Sequence, residues 1–101
     1  MQKENLIKFC KNILIKLNMD SDKAHATSEI LVEADMMGHS THGVRLLPNY
    51  VSDIEKGIMN VNGNYKIISE KKSNVRIDGK LLPGIWLTQE GLKIGIEKAK
   101  D

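Results

Sequence analysis

Residues 34–50, which read ADMMGHSTHGVRLLPNY, carry most of the side chains in this sequence that could do chemistry. Asp35, His39 and His42 follow one another at short spacing, and Arg45 comes three positions after the second histidine. An imidazole can exchange a proton near neutral pH, and a guanidinium offers a planar fork to a carboxylate. The stretch therefore brings a proton donor and an anion-binding group close together in the chain.

A metal site is the first interpretation of these residues. Asp35, His39 and His42 could supply a carboxylate and two imidazoles, as in non-haem iron or zinc sites. Gly38, however, interrupts the helix that would align Asp35 with His39, and no fourth ligand is nearby in the sequence. We therefore expect no metal ion here.

A structural and a catalytic interpretation compete for His42. In the first, Ser40, Thr41 and His42 only cap the helix that follows them. In the second, His42 gives a proton to a substrate, Gly43 leaves room for that substrate, and Arg45 holds its carboxylate. Reduction of a 2-keto acid requires this pair, because the carbonyl oxygen becomes an alkoxide as hydride arrives. The residues alone leave both interpretations open.

Apolar residues at helical spacing predict two helices before the histidines. The first runs from about Lys3 to Leu17, and the second ends at Gly38 in the manner of a C-terminal cap. Their predicted core positions are Leu6, Ile7, Cys10, Ile13, Leu14 and Leu17 in the first, and Ala24, Thr27, Ile30, Leu31 and Ala34 in the second.

A third helix is predicted after the histidines, with Ser40 or Thr41 as its cap. Its regular part begins near Leu47, because Pro48 is tolerated only in a first turn or at a kink. It ends at Gly57. Its apolar face comprises Val44, Leu47, Val51 and Ile54.

The remaining residues predict a hairpin and a last helix. Within residues 59–80, NYKIISE and NVRIDG are rich in β-branched residues and flank a polar KKS, which is typical of an antiparallel hairpin. Residues 84–101 predict a helix with Thr88 as a possible cap. Its expected apolar face comprises Ile85, Leu92, Ile96 and Ala99. Gly91 and Gly95 lie inside this helix, where they are tolerated if another element packs closely against them. The predicted fold class is α+β, with residues 1–58 helical.

Charge and composition exclude several classes of protein. The net charge of +2 comes from 15 basic and 13 acidic residues spread along the chain, unlike the basic surface of a nucleic-acid-binding protein. No run of 18 apolar residues could span a membrane. The lysine-rich start is better explained as a helix with one core face than as a helix on a membrane surface. Cys10 is the only cysteine, so we expect a buried thiol in a cytoplasmic protein.

Three segments together resemble one enzyme family. LVEADMMGHSTHGVRLLPNYVSDIEKGIMN, VRIDGKLLPG and GLKIGIEKAK are similar to the opening third of the malate/L-lactate dehydrogenase family. Its members are NAD(P)-dependent 2-hydroxy-acid oxidoreductases that lack a Rossmann fold. The most specific pieces are the acidic-x-x-Gly-x-x-Ser/Thr-His-Gly core, the Tyr and Gly after it, and the Asp-Gly turn before the last helix.

The resemblance implies roles for two residues. His42 matches the histidine that the family uses as an acid/base residue at the substrate, and Arg45 is the candidate for binding the substrate carboxylate. The family's arginine often falls one position later, where this chain has Leu46. Met37 stands where the family often has another arginine, and Thr41 replaces the usual serine. His39 fills a position that varies in the family and is given no role.

The resemblance also implies a cofactor, a substrate class and a larger protein. We expect NAD or NADP, a 2-keto or 2-hydroxy acid, and a homodimer at full length. The family's nucleotide-binding residues and a second catalytic histidine lie beyond the equivalent of Asp101. We therefore expect an N-terminal segment that lacks the nucleotide-binding part and is inactive alone. The alternative is a helical module that binds a protein partner and retains the motif as a relic.

Overall fold

The computed structural model describes residues 2–38 and 43–100. The elements in chain order are α1 (Lys3–Lys16), α2 (Ser21–Met36), a 3₁₀ helix (Val44–Leu46), α3 (Leu47–Glu55), β1 (Lys66–Lys71), β2 (Asn74–Asp78) and α4 (Gly84–Ala99). The predicted α+β order of three helices, a hairpin and a final helix is confirmed. None of the described helices combines the length and apolarity needed to cross a bilayer.

Each of the first three helices ends at a residue in the left-handed region. Asn18 follows α1 with φ 70°, Gly38 follows α2 with φ 81°, and Gly57 follows α3 with φ 76°. Glycine adopts this conformation without steric cost, so Gly38 and Gly57 stop their helices as predicted. α3 begins at Leu47 and holds Pro48 in its first turn, where a missing N–H costs nothing.

α2 is the central helix of the molecule and contacts both α1 and α4. The main core lies around α1 and α2 and includes most of the positions expected from the helical spacing. Its buried members are Cys10, Leu14, Met19, Ala24, Leu31, Val32 and Leu47. A smaller core joins Ala26 of α2 to Leu82 and Trp86 at the start of α4.

A polar junction at the start of α2 ties the helices to the later chain. The Asp20 carboxylate accepts hydrogen bonds from the Asn62 side chain at 2.8 Å, the Gly63 backbone N–H at 3.1 Å and the Lys23 ammonium at 3.0 Å. The Lys23 ammonium also lies 4.1 Å from the centre of the Trp86 ring, a cation–π contact with α4. The hydrogen bonds from Asn62 and Lys23 lower the pKa of Asp20. Buried Lys23 thus carries its charge between a carboxylate and an aromatic face.

The hairpin pairs β1 and β2 in antiparallel register, with Lys66 opposite Asp78 and Lys71 opposite Asn74. The register shifts between Ile67 and Ser69. All of β1 is exposed, and the Lys98 ammonium of α4 donates a hydrogen bond to the Lys71 carbonyl at 2.7 Å. The hairpin was expected within residues 59–80, and the two strands lie in the later part of this range. Residues 59–65 are irregular and pass beside Asp20.

The expected apolar face of α4 is largely exposed. Leu92 is 63% exposed and Ile96 is 51% exposed, whereas Trp86 is buried. The expectation was wrong because Trp86 packs on α2 and therefore decides which side of α4 faces the core. No described atom outside the helix lies within 4 Å of a Cβ built on Gly91 or Gly95, so no described element packs closely there.

Thr88 is not the cap of α4. The helix begins at Gly84, directly after Pro83, and the Thr88 hydroxyl donates a hydrogen bond to the Gly84 carbonyl at 2.9 Å inside the helix. Pro83 is the N-cap residue, with φ −54° and ψ 126°, so its own backbone lies outside the helical region and it provides no side-chain cap.

Candidate active site

Arg45 lies on the outside of the 3₁₀ helix that leads into α3. Its neighbours Val44 and Leu46 pack against the main core and fix the backbone on both sides of it. No described acidic side chain forms an ion pair with the Arg45 guanidinium. The donors of this group therefore face solvent, where a carboxylate ligand could reach them.

Asp35 reaches from the end of α2 to the start of the 3₁₀ helix. Its Oδ2 accepts a hydrogen bond from the Val44 backbone N–H at 3.1 Å. The first N–H groups of a helix have no partner within the helix, so Asp35 acts as a cap supplied by another helix. From the sequence, Asp35 was assigned no role other than that of a possible metal ligand, and this contact was not predicted. Its nine-residue separation from Val44 lies outside the local spacing at which caps are recognised.

Gly43 is buried directly beside the Asp35 carboxylate. A Cβ built on Gly43 would overlap Oδ1 of Asp35 and lie 2.5 Å from its Cγ. The φ of Gly43 is −104°, which other residues also adopt. Glycine is therefore required here for the space that it leaves, since any side chain would displace the carboxylate.

His42, the predicted catalytic residue, lies outside the described residues, as do His39 and the predicted caps Ser40 and Thr41. The metal interpretation depended on the two histidines. Among the residues that the structure does describe, no group of three histidine, cysteine, aspartate or glutamate side chains could bind a metal ion. One oxygen of Asp35 is already engaged by Val44.

Two further titratable side chains lie near the site residues. Cys10 is buried and Tyr50 is partly buried. Burial, and then the charge of Asp35, raise the pKa of the Cys10 thiol. A protonated buried thiol is a poor nucleophile, so Cys10 belongs to the core and not to the chemistry. Burial, and then the charge of Asp53, raise the pKa of Tyr50, which keeps its phenol neutral at physiological pH.

A pocket of about 360 Å³ lies where α2, α3 and α4 meet. It is lined by Ile30, Tyr50, Gly84, Ile85 and Thr88. The lining is mostly apolar and includes the Tyr50 side chain. Tyr50 lies in the first turn of α3, shortly after Arg45 in the chain. The tyrosine was noted in the sequence as part of a motif, but the pocket depends on packing among three helices and had no local signal.

A second cavity of about 430 Å³ lies between α1 and α2, and it shows no bias toward an anion. Its charged lining mixes Lys3, Lys8, Lys11 and His25 with Glu4, Glu29 and Glu33. Two of these acids already face cations, because Lys3 lies 3.5 Å from Glu33 and His25 lies 3.1 Å from Glu29. Arg45 is therefore the better candidate for binding an acid.

The described residues contain no glycine-rich loop of the kind that holds dinucleotide phosphates in many enzymes. Such a loop lies between a strand and a helix, and its backbone N–H groups hold the phosphates. Between β2 and α4 the chain has only Gly79 and Gly84, five positions apart, with no basic residue at the start of α4.

Comparison with known proteins gives a consistent result along the whole chain. The family model described as malate/L-lactate dehydrogenase matches residues 1–101. The malate/(S)-sulfolactate dehydrogenase of Methanothermus fervidus is 36% identical over 89 residues, which cover 88% of this chain and 26% of that protein. The malate dehydrogenase of Pyrococcus horikoshii is 34% identical over 99 residues, covering 98% of this chain and 28% of that protein.

Solved structures share the fold. The malate dehydrogenase of Pyrococcus horikoshii OT3 superposes with a TM-score of 0.96 at 34% identity, over 100% of this chain and 29% of that chain. The sulfolactate dehydrogenase of Methanocaldococcus jannaschii gives the same TM-score at 29% identity, with the same coverage. The chain thus spans between a quarter and a third of the length of the relatives that it matches.

Proposed function

Because the chain belongs to the malate/L-lactate dehydrogenase family, we propose that it is the N-terminal part of an NAD(P)-dependent enzyme that interconverts a 2-keto acid and a 2-hydroxy acid. The observation that carries the proposal is the position of Arg45. Its guanidinium is exposed on a backbone held by Val44 and Leu46, and the chain places His42 three residues before it. A carboxylate-binding group and a proton donor are then on the same short segment.

Arg45 binds the substrate carboxylate in this proposal. Its planar guanidinium can donate two parallel hydrogen bonds, which fix both the position and the orientation of a carboxylate. A carboxylate held in this way leaves the adjacent keto carbon in one place relative to the protein. Such positioning lowers the barrier because the reacting groups need no further search for alignment.

His42 donates a proton to the carbonyl oxygen of the 2-keto acid. Negative charge develops on this oxygen during reduction, and a nearby imidazolium neutralises it by proton transfer. In the reverse direction the neutral imidazole accepts the proton of the hydroxyl group. Bound NADH or NADPH would supply the hydride, and by the family resemblance most of the residues that bind it lie beyond those of this chain.

The proposed substrate class follows from the relatives. The relatives include malate, sulfolactate and L-lactate dehydrogenases. These acids share a carboxylate next to a hydroxyl-bearing carbon, which is the group that Arg45 and His42 would address together. We further propose that the intact enzyme is a cytoplasmic homodimer, as the family implies.

A helical module that binds a protein partner is the second candidate. The exposed apolar side chains Ile67, Ile68, Leu92 and Ile96 are the observation behind this candidate, because soluble proteins usually cover such groups. The same exposure is expected if further parts of the enzyme pack on the hairpin and α4, so it does not favour the module over the enzyme.

An activity screen of the intact protein that carries this chain tests the proposal. The protein is mixed with NADH or NADPH and a panel of 2-keto acids, and cofactor oxidation is followed by absorbance. We expect turnover with at least one 2-keto acid. Matched ketones without a carboxylate and carboxylates without a keto group serve as controls and should not react. Absence of turnover with every 2-keto acid would contradict the enzyme and favour the module.

A further inference from the structure

Asp35 occupies a position that is unfavourable by local rules. It lies in the last turn of α2, where the carbonyl ends of the helix disfavour a negative charge, and this turn has no basic residue. No described cation forms an ion pair with it. Departures of this kind are expected where a residue serves function rather than local stability.

The carboxylate of Asp35 makes two contacts that compensate for its position. Oδ2 accepts the Val44 backbone N–H at 3.1 Å, and Oδ1 fills the space that a side chain at position 43 would need. The Val44 N–H is therefore bonded to the end of α2, and the same carboxylate lies directly against Gly43. His42 comes directly before this held segment in the chain, and Arg45 comes directly after it.

We infer that Asp35 is a positioning residue for substrate turnover, because it fixes the backbone between the proposed proton donor His42 and the proposed carboxylate-binding residue Arg45. The inference rests on the function proposed above. Asp35 itself touches neither substrate nor cofactor. It acts through Gly43 and Val44, because the position of their backbone constrains the position of the residues on either side of them.

The test compares kcat/KM of Asp35 variants of the intact protein with a 2-keto acid and reduced cofactor. Asp35→Ala should lower kcat/KM by about 10- to 100-fold, the usual effect of losing a positioning contact. Asp35→Asn should restore most of the activity, because its amide oxygen can still accept the Val44 N–H. Asp35→Glu keeps the charge but lengthens the side chain, so it should stay impaired. If the alanine variant does not fold, the asparagine and glutamate variants still give the comparison.

Asp20→Ala is the matched control for lost stability. Asp20 also has a carboxylate with backbone and side-chain partners, but it lies at the other end of α2. At 1.5 Å per residue the two positions are separated by roughly 20 Å along the helix. Asp20→Ala should lower the melting temperature at least as much as Asp35→Ala, and its kcat/KM should stay within about threefold of wild type.

Gly43→Ala provides an independent measure of the same contact. Alone, it should reduce kcat/KM about as much as Asp35→Ala, because the new Cβ displaces the carboxylate. Combined with Asp35→Ala, it should add little, because the obstructing carboxylate is gone. Fully multiplicative losses would show that the two residues act separately and would contradict the inference.

The possible failures are distinguishable. An active wild type whose Asp35→Ala variant melts earlier but keeps its kcat/KM would overturn the positioning role alone. The same conclusion would follow if Asp35→Glu were active and Asp35→Asn were not, since charge and not position would then matter. A wild type inactive with every 2-keto acid would contradict the proposed function, and this inference with it.

Discussion

Single residues at the ends of α2 explain much of how this chain is held together. Asp20 at one end and Asp35 at the other both use their carboxylates to satisfy backbone N–H groups that are distant in sequence. The Asp20 contact reaches Gly63, and the Asp35 contact reaches Val44. These long-range hydrogen bonds connect the two ends of α2 to segments that come later in the chain.

The sequence pointed to Arg45 as a site residue but not to the capping role of Asp35. Arg45 stood out because its chemistry and its distance from His42 are local properties. The structure places its side chain at the surface, and its role in binding a carboxylate stays a prediction. The capping role of Asp35 was missed because it depends on how the chain returns to α2 after the loop. No periodicity or propensity encodes such a return.

Asp20 should make stability depend on pH in the acid range. Its pKa is lower in the folded chain, chiefly because of hydrogen bonds from Asn62 and Lys23. A carboxylate with a lowered folded pKa contributes stability above its unfolded pKa of about 4, and this contribution is lost as pH falls through the folded value. Asp20→Asn should therefore lower the free energy of unfolding near pH 7 and flatten its fall below about pH 4.

Chemical denaturation of residues 1–101 across pH 2–7 measures this effect, with Asp22→Asn as the control. Asp22 is a more exposed acid on the same turn, and it lies 3.7 Å from the Lys23 ammonium without a hydrogen bond. A pH profile of the Asp20→Asn variant that runs parallel to wild type would contradict the assignment.

At the level of elements, α4 is where sequence and structure differ most. Ile85, Leu92 and Ile96 recur at helical spacing, yet only Ile85 packs against a core, whereas Leu92 and Ile96 are exposed and Trp86 is the buried side chain of the helix. Periodicity shows that a helix has an apolar face, but not which neighbour will cover it. Helices α1 to α3 were easier to predict because each has a clear end signal and packs on a neighbour nearby in the chain.

Trp86 and Leu92 give opposite predictions in a protein of residues 1–101. Trp86→Ala should lower the free energy of unfolding by about 3–5 kcal/mol, because it empties the smaller core and removes the aromatic partner of Lys23. Leu92→Ala should change it by less than about 0.5 kcal/mol, since Leu92 is exposed. Urea titration followed by far-ultraviolet circular dichroism measures both. Equal losses would show that α4 packs through the other face.

The whole molecule is less compact than its length would suggest. Its radius of gyration is 14.6 Å, against about 13 Å for a typical 100-residue domain. Apolar side chains of the hairpin and of the second half of α4 are exposed, because neither of the two cores covers them. The relatives that it matches are more than three times as long as this chain.

Residues 1–101 alone should bind neither NADH nor NADPH in the micromolar range. The described part of the chain has no glycine-rich loop that could hold phosphates, and the start of α4 lacks a basic residue. Titration of cofactor fluorescence with the purified chain checks this, with the intact protein as the positive control. Saturable micromolar binding by the 101-residue chain would contradict it and would place a nucleotide site within these residues.

The most direct test of the account compares His42→Ala with His39→Ala in the intact protein. His42 is the proposed proton donor, so its loss should lower kcat with a 2-keto acid by roughly 100-fold or more, with little change in the thermal melt. His39 has no proposed role, and its variant should keep kcat near wild type. Steady-state kinetics and a thermal melt of each variant decide the outcome. Unchanged turnover in the His42 variant would contradict the catalytic assignment, and equal losses in both variants that follow added metal would support a metal site instead.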